Sequence, residues 1–156
     1  MLSLACKQQL LRKFPDVKLS YDCLLHRKVS ADLYFLIPKG PKAFLWITYY
    51  KRKCIALVLT LDAKGSIRKI EPVVLAFASK LALGTILYGT IFESNSSTCF
   101  CFEDFHWLEG RNIEDNTMSA KLEALGGLFS SLQRSRHAQI TIGAPVITTD
   151  YKETLQ

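Results

Sequence analysis

The sequence predicts an α+β fold, a mainly antiparallel sheet with helices packed against it. Runs rich in β-branched and aromatic residues, such as KAFLWITYY (42–50) and KCIALVLTL (53–61), are separated by short charged or glycine-bearing turns. That is the pattern of consecutive antiparallel strands. Other stretches place apolar residues at helical spacing: the amino terminus, residues 71–82 and the segment after Asn116. With 49% hydrophobic and 22% charged side chains, 156 residues can bury one substantial core, which argues against a disordered chain.

In order, MLSLACKQQLLRKF reads as a short amphipathic helix ending near Phe14-Pro15, within an amino-terminal segment spanning 1–27. A main domain over 28–150 and a tail over 151–156 follow. SADLYFLIP (30–38) reads as a strand stopped by Pro38 and Gly40. The strands 42–50 and 53–61 meet at a tight charged turn, Lys51-Arg52. DAKG (62–65) is a second turn, with glycine where a positive φ is needed. EPVVLAFASKLA (71–82) is expected to be a helix, with Pro72 at its first position and Val73, Val74, Phe77 and Leu81 on one stripe. TILYGTIF and STCFCFEDFHWL read as strands around the polar loop ESNSS. Asn116 or Thr117 caps a further helix that buries Leu122, Leu125, Leu128, Phe129 and Leu132 and is weakened by Gly126-Gly127. AQITIGAPVI (138–147) is the last strand. Gly84 and Gly89 bracket an otherwise alternating strand, and a glycine there marks a bulge or a close approach.

Charge is unevenly placed. Residues 1–80 carry 15 Lys/Arg against 5 Asp/Glu, a net +10, whereas residues 81–156 carry 5 against 9, a net −4. A basic half suits phosphates, nucleic acid or an acidic protein surface. The five cysteines (Cys6, Cys23, Cys54, Cys99, Cys101) lack paired spacing, which favours reduced thiols over a disulfide framework and a cytoplasmic or nuclear location. No apolar run is long enough to cross a membrane as a helix, so no membrane insertion is expected. The sequon at Asn95 has no secretory context. Alternation puts Asp104 and His106 on one strand face and Glu103 on the other, and two ligands do not make a metal site. Trp46 and Trp107 are candidates for stacking on a base but suit core packing better. No phosphate-loop sequence is present and no cofactor is expected.

Two stretches resemble a known superfamily. LYGT (87–90), followed by FEDFHWLEG (102–110), looks like the consecutive strand motifs of the covalent nucleotidyltransferases, the mRNA-capping guanylyltransferases and nucleic-acid ligases. Over roughly residues 28–150, the following helix and ITIGAPVI keep the family's order. IPKGPKAFL and TILYGTIF also resemble the cap-binding domain of snurportin, a relative without catalysis. The departures are informative. In the position of the family's Lys-x-Asp-Gly stands IPKG, so Ile37 replaces the nucleophilic lysine and Lys39 the aspartate. Lys42 falls where an arginine is common, Tyr88 and Thr90 replace two carboxylates, and Asp104 alone keeps its acidic character. The family's later motifs do not follow before Gln156.

The resemblance therefore implies a degenerate member without transfer chemistry that binds a nucleotide, an RNA 5′ end or a partner subunit. The nucleotide- or phosphate-binding residues it implies are Lys39, Gly40, Lys42, Gly89 and Asp104. The alternatives are a structural assembly subunit that reuses the fold for protein contacts, and a split enzyme using Lys39. Shortened relatives of this kind are associated with large DNA viruses that encode capping machinery, which implies a virus factory or virion as further locations.

Overall fold

A computed structural model describes residues 2–17, 34–94, 96–133, 140–143 and 146–148. Its elements are α1 (Leu4–Lys13), β1 (Tyr34–Leu36), β2 (Lys42–Tyr50), β3 (Lys53–Leu61), β4 (Ile67–Val73), β5 (Ala76–Phe77), a 3₁₀ turn (Ser79–Leu83), β6 (Thr85–Ser94), β7 (Ser97–Leu108), β8 (Arg111–Asn112), α2 (Met118–Ser131), β9 (Leu132–Gln133), β10 (Thr141–Gly143) and β11 (Val146–Thr148). The main sheet runs in the order β10-β7-β6-β2-β3-β4, with β8 paired to β7. All of its pairings are antiparallel except β10 on β7. Two small antiparallel pairs, β1–β11 and β5–β9, lie off it. The fold is α+β and sheet-dominated.

Period-two alternation in β2 and β3 makes two apolar faces, because every second side chain points the same way. Ala43, Leu45 and Ile47 with Ala56 and Val58 meet Leu87, Phe100, Phe102 and Phe105, and α2 covers this face with Leu125 and Leu128. Phe44 and Trp46 with Leu57, Leu59 and Leu61 meet Ile86 and Tyr88, and α1 covers that face with Leu10. Phe14, just past the helix end, sets its ring 5.3 Å from Phe44 and 5.1 Å from Trp46. The amino-terminal helix thus shares a core with the sheet. Sandwiching the central strands between helices explains why they read as continuous apolar runs.

The strand boundaries at 42–50 and 53–61 agree with the sequence reading, as does the Lys51-Arg52 turn. Residues 71–82 do not form a helix. They contribute the end of β4, β5 and most of the 3₁₀ turn. Pairing of Ala56–Leu61 with Ile67–Val73 overrides the local helical spacing, and β-branched Val73 suits a strand. Pro72 is tolerated because β4 is an edge strand, where a missing N–H need not break a ladder. In α2, Thr117 supplies the cap, its Oγ1 accepting from the Ala120 N–H at 3.2 Å. Leu125 and Leu128 are buried as expected, whereas Phe129 is 37% exposed and Lys121 takes a buried place instead. The final stretch splits: Thr141–Gly143 joins the main sheet, and Val146–Thr148 pairs with β1. Residues 18–33, Cys23 among them, and Asn95 fall outside the described residues, and the described cysteines are free thiols.

Candidate functional site

β7 is irregular where its sequence is most polar. Its register against β6 slips twice: Leu87 pairs with Phe105 while Ile86 pairs with Trp107, and Tyr88 pairs with Asp104 while Gly89 pairs with Phe102. Glu103 and His106 are therefore the extra residues of two β-bulges. A bulge re-aims side chains, so simple alternation fails here. Glu103, expected on the face opposite His106, shares its face, because it reaches Thr90 and Lys42 while His106 packs on Phe44 and Tyr88.

Two lysines neutralise the β7 carboxylates. Lys42 Nζ donates to both Glu103 oxygens at 2.9 Å and to Thr90 Oγ1 at 2.8 Å, and Thr90 Oγ1 donates to Glu103 Oε2 at 2.6 Å. Three neighbouring strands, β2, β6 and β7, thus each supply one corner of a closed polar triangle. Lys42 keeps 36% of its side chain exposed and Glu103 12%. Beside it, Lys121 Nζ of α2 donates to Asp104 Oδ1 at 2.7 Å, and the Phe105 N–H donates to the same oxygen at 2.8 Å. His106 is 1% exposed. Its Nδ1 lies 3.2 Å from Glu114 Oε1 and its Nε2 4.0 Å from Asp104 Oδ2, close but without hydrogen-bond geometry. Burial pulls the imidazole below its ordinary pKa, against the opposing pull of Asp104 and Glu114 and with the help of Lys121.

The structure brings some of the sequence-chosen residues together and separates others. Lys39 and Gly40 lie exposed in the loop that enters β2, three and two residues before Lys42. Gly40 sits where a Cβ would lie 2.1 Å from the Ile91 carbonyl oxygen, and the Ile91 N–H donates to Pro41 O at 3.0 Å. That loop is fastened to β6. Gly89 faces a similar neighbour: a Cβ there would lie 2.1 Å from Cys101 O and 2.9 Å from the Phe100 ring. What comes close to Gly89 is the bulged β7 strand. Asp104 belongs to the adjoining Lys121 pair. Trp46 is buried against Phe14, and Tyr88 is buried in the same cluster.

Reasoning from sequence passed over Lys121, Glu114 and the role of Glu103. Lys121 shares the helical stripe of Leu125 and Leu128, four and seven residues on, but a lysine there is usually read as solvated. Among the described residues no group of three or more His, Cys, Asp or Glu could hold a metal ion. No helix among them is long and apolar enough to cross a membrane.

A second polar cluster lies at the far end of β2. Lys51 Nζ approaches Cys6 Sγ at 3.2 Å, and Tyr50 OH donates to Gln9 Oε1 at 2.5 Å. Hydrogen bonds from Ser3, then Tyr50 and Lys51, draw the Cys6 thiol down to about 7.

No protein-family model matches the chain, and no curated protein is significantly similar to it.

Proposed function

We propose that the chain is a non-catalytic binding domain for a nucleotide or RNA 5′ end, built on a degenerate nucleotidyltransferase-like fold. The observation that carries this reading is the closed triangle of Lys42, Thr90 and Glu103. Lys42 and Thr90 are the positions at which the resemblance placed an arginine and a carboxylate, and Glu103 lies in the second strand motif. Residues far apart in sequence thus meet across three adjacent strands. Lys39 and Gly40 are exposed in the loop that leads into Lys42, a suitable setting for a phosphate. A binding role is favoured over a transferring one because Glu103 and Asp104 are already held by lysines of the same chain. Ile37 stands where a nucleophile is needed.

The test is incubation of the purified chain with α-labelled GTP or ATP and Mg²⁺ or Mn²⁺, scored for acid-stable label and for reversible binding. Saturable binding without an adduct is expected, weakened about tenfold by Lys39→Ala, as for removal of one charge-assisted hydrogen bond to phosphate. An adduct lost on Lys39→Ala would make the chain half of a split enzyme. Absence of both signals would overturn the reading in favour of an assembly subunit.

A further inference from the structure

Lys42 and Thr90 are register partners on β2 and β6, and both aim donors at one carboxylate. Lys42 Nζ lies 2.9 Å from each Glu103 oxygen, and Thr90 Oγ1 lies 2.6 Å from Oε2. An ammonium and a hydroxyl set around the oxygens of one anion also suit a phosphate, whose oxygens accept the same charge-assisted bonds. Thr90 is fully buried, and a buried donor is costly to leave without an acceptor. Whatever takes the place of Glu103 must therefore be another oxygen anion.

Glu103 is fixed less firmly than its two partners. Lys42 and Thr90 hold regular ladder positions, whereas Glu103 is the extra residue of a bulge and has no register partner on β6. Such a residue is left out of the ladder, so its side chain can be re-aimed without breaking strand pairing. Lys42 keeps 36% of its side chain in solvent and Glu103 12%, so the pair can be opened from outside. Asp104 is tied down more fully, because Lys121 Nζ and the Phe105 N–H both donate to its Oδ1.

We infer that Glu103 is an internal competitor for the ligand's phosphate: its carboxylate fills the anion position at Lys42 and Thr90, and a terminal phosphate binds by displacing it. The inference rests on the nucleotide-binding role proposed above and adds a ligand class to it. A carboxylate and a phosphodiester each carry a single charge, so exchanging one for the other gains little. A terminal phosphate carries about −1.5 to −2 at pH 7 and gains from the exchange. The site thus selects free nucleotides and phosphorylated 5′ ends over the internal linkages of a nucleic acid.

The experiment is calorimetric titration of the full chain, at fixed ionic strength, with GTP, inorganic tripolyphosphate and a diribonucleotide bearing a 5′-hydroxyl. Wild type should bind the first two weakly and the third not measurably. Glu103→Gln keeps the shape and removes the charge, and it should bind GTP and tripolyphosphate about tenfold more tightly, because no charge-assisted bond to Glu103 has then to be broken. Glu103→Asp keeps the charge but is one methylene shorter, and should gain about threefold as its hold on Lys42 loosens. Should the glutamine variant unfold, the aspartate variant decides alone. Glu93→Gln removes the same charge from the exposed end of β6 and should bind like wild type. Adding Lys42→Ala to Glu103→Gln should abolish the gain.

Saturable wild-type binding with no gain in either Glu103 variant overturns the inference and leaves the nucleotide-binding role standing. An equal gain in Glu93→Gln does the same, since it marks a field effect and not a displaced carboxylate. Binding of the diribonucleotide as tight as that of GTP overturns the ligand class. If neither wild type nor any Glu103 variant binds GTP or tripolyphosphate, the inference and the nucleotide-binding role fall together.

Discussion

Gly89 shows how one residue constrains the site. Its missing Cβ is what lets the bulged part of β7 bring Cys101 O against β6, and a methyl group there would meet backbone, which cannot move aside alone. Gly89→Ala is therefore expected to cost about 3 kcal/mol, at the upper end for overpacking, measured as a lower midpoint in urea at unchanged slope. The sequence showed that something approached this glycine. It could not show that the neighbour was the next strand, because a bulge is set by register and not by composition. Lys42 illustrates the converse. Its charge was plain, but its partner Glu103 is 61 residues away and reaches it only through the first bulge.

At the scale of elements, local pattern served well where it agreed with pairing and failed where it conflicted. β2 and β3 were legible to the residue because alternation, β-branched content and the turn all agreed. Residues 71–82 carried helical spacing, but the exposed ladder edge of β3 offered hydrogen bonds to any neighbouring extended segment, and β4 took them. α2 was legible, yet it carries avoidable conformational entropy. Gly126 and Gly127 are exposed, and a Cβ at either meets nothing within 4 Å. Gly126→Ala and Gly127→Ala should each raise stability by about 0.5–1 kcal/mol, read from thermal unfolding. If either substitution lowers the midpoint, α2 is not the regular helix described.

Across the whole molecule, a layered core holds a charged seam. Asp104, Lys121, Glu114 and His106 come from β7, α2 and the loop between β8 and α2, so the seam exists only when the second half of the chain has folded. His106 links it to pH. Its pKa in the folded protein lies below the ordinary 6.5, chiefly because burial disfavours the imidazolium. Below that ordinary value the unfolded chain binds the extra proton more readily than the folded one, so His106 favours folding fully above pH 6.5 and progressively less as pH falls. Denaturation midpoints should therefore decline from about pH 7 toward about pH 5, and His106→Phe should flatten that decline. An equal decline in the variant would assign the acid sensitivity to the carboxylates instead.

The sequence by itself determined the class of the fold, the central strands, the two packing helices and the basic character of the first half. These follow from period, turn chemistry and charge, which act over a few residues. Tertiary structure alone decided the two bulges in β7, the strand fate of residues 71–82, the pairing of Lys42 with Glu103 and of Lys121 with Asp104, and the gathering of α1 and the hairpin tip into one basic surface. Each of these depends on which distant segments compete for the same strand edge or the same buried charge. That competition is settled by hydrogen-bond satisfaction and desolvation across the whole core, which no local window of sequence contains.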